Sequence, residues 1–246
     1  MTPHLQLLSS EQHIGLGLRP VPDWAFCQPL DVVPIALSEF ADVVTSYPII
    51  FSVGPVPQAL AVLGLAQGKN DFLDADQQWP AHQYVPAILK FHPFSMGVGP
   101  APANQAIVML DVSSPRVVPL EDDDAAQPLF TFDGKPSPTL APLIQKLGTH
   151  AASLKETGAF IHALSQAQLL ADVRADIQLP DGATHQTRSF RCVNASAFRQ
   201  LKEPELSAWF RQGWTDAVAL HLASLRRWTL LFERRQAGVV MPHGEA

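Results

Sequence analysis

The chain has 246 residues, of which 47% are apolar and 16% charged, and its formal net charge at pH 7 is −6. This composition suits one large or two small globular domains, and the negative charge excludes generic nucleic-acid binding, because phosphate neutralisation needs clustered Lys and Arg. The longest apolar run, near residues 59–66, is far shorter than the roughly 20 residues of a membrane span, and no secretory signal is visible, so we expect a soluble, cytoplasmic protein without a membrane span.

The first half of the chain is rich in proline and in turn signals. Apolar residues at helical spacing predict a helix over residues 37–44, which Pro48 ends. A short helix is expected over 83–90, with Pro86 in its first turn. Apolar runs between turns predict strands over residues 49–53, 59–65, 71–73, 94–98 and 106–112. Residues 113–135 are expected to form a loop, since the four adjacent acids at 121–124 repel one another and stay hydrated.

The character of the sequence changes at Thr139, which is a good helix N-cap. From there an apolar face at helical spacing continues to about residue 170. Alternating residues around the turn signal Pro180-Asp181-Gly182 predict a β-hairpin within 175–193. Three further helices are predicted, beginning near Asn194, Pro204 and Thr215.

These elements predict an α+β fold. The N-terminal half, residues 1–135, is expected to form an antiparallel, meander-like sheet with helical insertions. The C-terminal half, residues 136–246, is expected to be mainly helical and to contain one β-hairpin. We expect the two halves to pack together as one unit.

General catalytic motifs are missing from the chain, which has no nucleophile elbow, P-loop, dinucleotide fingerprint or zinc-protease motif. Cys27 and Cys192 are far apart, and the nine histidines do not recur at metal-ligand spacings. The triplet His243-Gly244-Glu245 has the H-x-E spacing of an iron site, but it lies in a terminal segment of the kind that frays. The sequence therefore predicts no catalytic residue, no metal site and no cofactor.

The densest polar constellation follows the strand predicted over 71–73. One interpretation is a ligand-binding site, in which acids accept hydrogen bonds from a cationic or hydroxyl-bearing ligand between aromatic walls. The other is an exposed turn whose aromatic residues cover the edge of the core. The candidate ligand-binding residues are Asp71, Asp74, Asp76, Trp79, His82 and Tyr84, and Lys90 and His92 are candidates for the opposite charge.

An ordered series of motifs runs through the same region and beyond it. It comprises Tyr47-Pro48-Ile49-Ile50-Phe51, Leu63-Gly64, Gly68-Lys69-Asn70-Asp71-Phe72-Leu73-Asp74, Trp79, Tyr84-Val85-Pro86, Pro93-Phe94, Leu129-Phe130, Asp133-Gly134-Lys135-Pro136-Ser137 and His221-Leu222-Ala223-Ser224-Leu225. In order and spacing, from about residue 30 to residue 235, this series resembles the SapC family of bacterial proteins.

The resemblance implies a link with the cell surface, because the family takes its name from a protein encoded beside surface-layer secretion genes. Its members also tend to be encoded near flavin-dependent halogenases and outer-membrane receptors. No established catalytic residues come with the family. This chain departs from the family pattern at Phe91-His92, where relatives carry paired arginines, and around Ser189-Phe190, where a glycine is usual. If that arginine pair binds an anion in relatives, this chain has lost the feature.

Two functions remain open at this point. The first is a non-catalytic binding or accessory protein linked to surface-layer or envelope processes. The second is an enzyme, or the partner of an enzyme, in a small-molecule or peptide-modifying pathway of the kind associated with flavin-dependent halogenases. Either function implies a small-molecule or protein partner, and the sequence leaves the oligomeric state open.

Overall fold

The computed structural model describes residues 3–99, 106–173, 176–178, 184–186 and 189–237. Within them the protein has an α+β fold, and its paired strands run antiparallel. The chain divides into two compact units: unit 1 comprises Met1–Phe26 and Ala87–Ala152, and unit 2 comprises Cys27–Pro86 and Ser153–Ala246. These units do not coincide with the halves 1–135 and 136–246 expected from the sequence, because 87–152 belongs with the N-terminal segment.

The elements are numbered in chain order. The strands are β1 (Leu5–Leu7), β2 (Leu16–Leu18), β3 (Val32–Pro34), β4 (Ile49–Ser52), β5 (Ala59–Val62), β6 (Phe94–Val98), β7 (Ala106–Asp111), β8 (Val117–Pro119), β9 (Gln127–Pro128), β10 (Leu170–Val173), β11 (Asp176–Gln178), β12 (Thr184–Gln186) and β13 (Phe190–Val193). The α-helices are α1 (Ser10–His13), α2 (Phe40–Val43), α3 (Ala87–Lys90), α4 (Leu140–Gln166), α5 (Ala195–Phe198), α6 (Glu203–Arg211), α7 (Trp214–Ser224) and α8 (Trp228–Ala237). Among the described helices, none has both the length and the apolar character needed to cross a membrane.

Unit 1 contains two small sheets, with the strand orders β1-β7-β6 and β8-β2-β9. The central strand β2 is short and carries Gly17, which pairs with Val118 on one side and Pro128 on the other. A Cβ atom at Gly17 would lie 2.6 Å from Leu120 Cδ2 and 2.9 Å from Ala126 Cβ, so a larger residue there would have to displace these neighbours. The core of unit 1 is built by Leu18, Phe91, Phe94, Leu110, Leu129, Phe130, Leu140 and Leu147.

Unit 2 is organised around a five-stranded sheet with the order β10-β13-β4-β5-β3. The sheet joins strands from early and late in the chain. Phe190 of β13 pairs with Ser52 of β4, and Arg191 pairs with Phe51. The hairpin predicted in the C-terminal half is confirmed as β10 paired with β13 and β11 paired with β12. Its predicted turn, Pro180-Asp181-Gly182, and the triplet His243-Gly244-Glu245 lie outside the described residues.

Helices cover one face of this sheet. The buried ring of Phe160 on α4 lies 6.3 Å from Phe51 of β4, and it also contacts Phe40, Trp209 and Trp214. Aromatic contacts of this kind add to the free energy of apolar burial. The outer face of the same strands is therefore left to other groups, and the candidate site lies there.

Helix α7 accepts hydrogen bonds from two strand N–H groups, Ile49 of β4 and Val193 of β13, which lie beyond the two residue pairs that join these strands. Ser224 Oγ accepts a hydrogen bond from the Ile49 N–H at 2.9 Å, and His221 Nε2 accepts one from the Val193 N–H at 3.0 Å. Both side chains are fully buried. Burial lowers the pKa of His221 to about 4, while the Ile49 backbone acts in the opposite direction to a smaller extent.

Several local predictions were wrong, each for a local reason. Residues 71–73 form a bend instead of a strand, because the Asn70 side chain accepts a hydrogen bond from the Phe72 N–H. The segment 113–135 is not all loop, since β8 and β9 within it pair with β2. The long helix is capped by Ser137, whose Oγ accepts from the Thr139 and Leu140 N–H groups, and it ends before Gln168, which has a positive φ.

Candidate functional site

A cavity of about 390 Å³ lies on the outer face of the unit 2 sheet. The strand registers explain which side chains reach it. Ile50 is opposite Leu60, and Val62 is opposite Val32, so all four project from the same face. Phe190 is opposite Ser52 and joins this face from β13. We call this space the sheet-face cavity.

The aromatic end of the cavity is formed by Phe190 and Trp228. Their rings are stacked, with centroids 5.7 Å apart and planes inclined by 27°. Trp228 is the first residue of α8 and is half-buried. A flat or aliphatic ligand surface could pack against this wall, which presents a large apolar area.

The polar end of the cavity is formed by Asp31 and by the loop after β5, which contributes Gly64, Leu65 and Gln67. Asp31 is buried and binds this loop through both its backbone carbonyl and its side chain. Its carbonyl accepts hydrogen bonds from Leu63 N at 2.7 Å and Gly64 N at 3.1 Å, and its Oδ1 accepts one from Gly68 N at 3.1 Å. Asp31 therefore holds the loop in place through both its backbone and its carboxylate.

The loop that builds this polar end requires glycine at two positions. A Cβ atom at Gly64 would lie 1.8 Å from the Lys69 carbonyl oxygen, which no side chain could accommodate without moving the backbone. Gly68 has a φ of +72°, in the left-handed region that favours glycine. The motifs Leu63-Gly64 and Gly68-Lys69-Asn70 thus have a structural role, which is to shape the rim of the cavity.

The three candidate acids have different surroundings. The side chain of Asp71 is buried, its Oδ2 accepts a hydrogen bond from Leu65 N at 3.0 Å, and its Oδ1 lies 4.0 Å from Lys69 Nζ. Asp71 therefore supports Leu65, which lines the cavity, from behind. Asp74 is exposed, and its Oδ1 accepts hydrogen bonds from the N–H groups of Asp76 and Gln78. Asp76 is also exposed. The acids are thus not gathered around one point.

The three aromatic candidates also have different surroundings. Trp79 is buried, and its Nε1 donates a hydrogen bond to Tyr47 Oη at 3.0 Å. Tyr47 in turn donates to the Tyr84 carbonyl, and the Tyr84 hydroxyl donates to Glu39 Oε1 at 3.0 Å. His82 is exposed. The ligand-binding role of the six candidates stays a prediction, and none of the six lines the sheet-face cavity.

The phenols of this network are held protonated. Burial raises the pKa of Tyr47 well above its usual range, against a smaller lowering by the Trp79 hydrogen bond. Burial raises the pKa of Tyr84 as well, and the Glu39 carboxylate raises it further. Both phenols therefore remain hydrogen-bond donors, which suits a structural network inside unit 2.

The two residues expected to supply positive charge belong to unit 1. Lys90 is exposed at the end of α3. The His92 ring stacks on Phe26 with centroids 3.8 Å apart, and its Nε2 lies 3.9 Å from Asp111 Oδ2. Burial lowers the pKa of His92, although the charge of Asp111 acts against this effect. The ring and ion-pair contacts of His92 thus lie within unit 1.

Sequence reasoning missed the residues that line the cavity. One signal was present: the runs 49–51 and 59–63 are apolar at both odd and even positions, so both faces of β4 and β5 had to be covered. The contributions of Asp31 and Trp228 could not have been found in this way, because pairing between distant segments brings them to the sheet.

Metal-ligand side chains do not assemble in the described part of the chain, where no three His, Cys, Asp or Glu residues come together in a way that could hold a metal ion.

In comparisons with known proteins, the model of the SapC family matches residues 8–231, which is nearly the whole chain. No curated protein and no solved structure matches.

Proposed function

The chain belongs to the SapC family, and from this premise we propose that it is a non-catalytic binding protein whose ligand is a small molecule held in the sheet-face cavity. The observation that carries the proposal is the cavity itself, a space of about 390 Å³ over the outer face of β4 and β5. Ligand pockets of proteins usually measure about 300–1,000 Å³ and are mostly apolar with a few polar groups. The sheet-face cavity has both properties.

Support for a rigid site comes from the elements that carry its walls. Ile50 and Val62 are buried residues of the central strands β4 and β5, and each of these strands is paired on both sides. The polar end is fixed by the hydrogen bonds of Asp31 to the loop after β5. Sites on paired strands keep their geometry better than sites on free loops, and preformed sites lose less entropy on binding.

Support for binding instead of catalysis comes from the chemistry of the lining. Among the described residues around the cavity, Asp31 is the one acid, and no histidine, cysteine or lysine accompanies it. General acid–base and nucleophilic mechanisms need at least two cooperating groups. The groups whose pKa is displaced most in unit 2, Tyr47, Tyr84, Cys192 and His221, do not line the cavity.

The biological setting is part of the proposal. The family name supports a link with surface-layer or envelope processes, in which the protein would act as an accessory binding component. We also propose a cytoplasmic location, which suits two cysteines, Cys27 and Cys192, that form no disulfide. Cell fractionation tests the location, and recovery of the protein in a periplasmic or extracellular fraction would contradict it.

Filling the cavity tests the binding proposal. The probe is N-phenylnaphthylamine, a neutral apolar fluorophore whose emission rises in apolar surroundings. Leu60 lies on the cavity face of β5, so Leu60→Trp places an indole in the space. The matched control is Val56→Trp on the exposed β4–β5 turn, where the side chain is 79% exposed.

We expect saturable probe binding by the wild type and by Val56→Trp, and an affinity at least about tenfold lower for Leu60→Trp. Equal affinity in the two variants, or no binding by the wild type, would overturn the proposal.

The non-catalytic part of the proposal is tested by incubating the protein with a small-molecule extract of its own cells. Recovery of a compound from the extract with the protein fraction supports binding. A new product peak in the mass spectrum contradicts the non-catalytic role.

A further inference from the structure

The outer side of helix α6 carries two large apolar residues. Leu206 is 40% exposed and Phe210 is 70% exposed. Residues four apart are neighbours on the surface of a helix, so the two side chains form one apolar stripe. Exposed aromatic residues beside other apolar groups are typical of contact surfaces between proteins. We propose that this stripe is a contact surface between two copies of the chain, whose α6 helices pack antiparallel about a two-fold axis.

The position of the stripe is fixed by the buried side of the same helix. Trp209 is buried, and its ring centroid lies 6.4 Å from that of Phe160, 6.3 Å from that of Phe198 and 5.5 Å from that of Trp214. Because successive residues of a helix point about 100° apart, Phe210 projects away from this aromatic contact. Packing therefore holds the helix in place while the stripe stays exposed. A preformed surface of this kind loses little conformational entropy on binding.

Opposite charges flank the stripe at its two ends. Glu203 lies in the first turn of α6, and Arg211 lies in the last turn. Both are exposed, and the ion pairs within the described part of the chain involve neither of them. Eight residues of helix place them about 12 Å apart along the axis, which is too far for them to pair with each other. A partner surface with the opposite order of charges would therefore match this helix.

A second copy of the same helix provides this opposite order. In an antiparallel pair of identical helices, residues on the same side of the contact meet when they are equally far from its centre in opposite directions. Leu206 and Phe210 are centred on residue 208, and Glu203 and Arg211 are centred on residue 207. At 100° per residue, Glu203 and Arg211 lie about 60° and 140° around the axis from Leu206 in the same direction, so both reach the same side of the stripe.

One arrangement therefore satisfies both kinds of contact. Leu206 packs against the partner subunit's Phe210, and Glu203 approaches the partner subunit's Arg211. The two-fold axis repeats both contacts, which gives two apolar contacts and two ion pairs. A parallel pair would instead bring Glu203 against Glu203 of the partner subunit, where the like charges repel each other.

The oligomeric state of the full chain tests the apolar contact. Sedimentation equilibrium between about 1 and 200 µM protein measures the dissociation constant of the dimer. Phe210→Asp places a charge in the stripe, and the matched control is Phe132→Asp, because Phe132 is a fully exposed phenylalanine of unit 1. We expect a monomer–dimer equilibrium for the wild type and the control, and a dissociation constant at least about tenfold higher for Phe210→Asp. A wild type that stays monomeric, or equal constants for the two variants, would overturn the inference.

Charge reversal tests the antiparallel arrangement. Glu203→Arg and Arg211→Glu, each alone, bring like charges together across the axis, so we expect each to raise the dissociation constant about three- to tenfold. The double variant restores opposite charges in both pairs, and its constant should return to the wild-type value.

The control for charge is Glu205→Arg, which makes the same change in the first turn of α6 about 160° around the helix from Glu203. An effect through the dipole of α6 would be equal in the two arginine variants, whereas we expect Glu205→Arg to dimerise like the wild type. Urea unfolding of each variant shows that it is folded. A double variant as weak as the single ones, or a Glu205→Arg variant as weak as Glu203→Arg, would overturn the arrangement.

Discussion

His221 gives the sharpest prediction about stability, because it is a buried histidine that accepts a hydrogen bond. Its Nε2 accepts from the Val193 N–H at 3.0 Å, so the ring must be neutral in the folded protein. Burial lowers its pKa to about 4, from the 6.5 of an exposed histidine. The folded protein therefore resists protonation of this ring at pH values at which the unfolded chain accepts the proton.

The sign and size of the effect follow from this difference. Above about pH 6.5 both states are neutral at this position, and the contribution of His221 to stability is fully present. As the pH falls from about 6.5 toward 4, only the unfolded chain gains the proton, so the free energy of unfolding decreases. Each unit of pKa difference corresponds to about 1.4 kcal/mol, so the loss between about pH 7.5 and 4.5 is about 2.5 kcal/mol.

The assay compares the wild type with His221→Gln in urea unfolding at several pH values. Glutamine places an amide oxygen near the position of Nε2 and does not titrate, so the variant keeps an acceptor for Val193 and loses the pH response. Other titrating groups cancel in the difference between the two proteins. We expect the wild type to lose about 2.5 kcal/mol relative to the variant on going from about pH 7.5 to 4.5. Parallel pH profiles would refute the reasoning.

Three further predictions concern the backbone, a helix cap and a thiol. Gly64→Ala should destabilise the protein by more than about 2 kcal/mol in urea unfolding, because its Cβ would meet the Lys69 carbonyl, whereas Gly148→Ala in the open middle of α4 should stabilise it by about 0.5–1 kcal/mol. Asn194→Ala should cost about 1 kcal/mol, since its side chain accepts the Ser196 and Ala197 N–H groups; no loss would contradict the cap. Burial raises the pKa of Cys192 to about 11, so iodoacetamide at neutral pH should leave it unmodified until the protein unfolds, as peptide mass spectrometry would show.

Local sequence patterns predicted much of the fold. Apolar runs between turn signals located β4, β5, β6 and β7, and the cap at Asn194 and the proline at Pro204 marked the starts of α5 and α6. Patterns of this kind report which groups must be buried or capped within one element. The α+β class follows from them and is confirmed.

Pairing between distant segments could not be predicted in this way. Strand β2 has three residues and a central Gly17, so it carries no pattern of its own, and it exists because β8 and β9 pair with it. The contact of β13 with β4 likewise depends on tertiary packing. Asp31 and Trp228 reach the cavity only through such long-range contacts, whereas the rim motif at Gly64 and Gly68 was visible in the sequence but its structural role was not.

The central claim is that the sheet-face cavity holds a small molecule. Methyl NMR of the full chain, labelled at Ile, Leu and Val and titrated with N-phenylnaphthylamine, tests it most directly. We predict saturable shifts at Ile50, Leu60 and Val62, and no shift at Leu143 and Ile144, which pack against the core of unit 1. Shifts confined to methyl groups elsewhere, or no shift at a saturating concentration of the probe, would contradict the account.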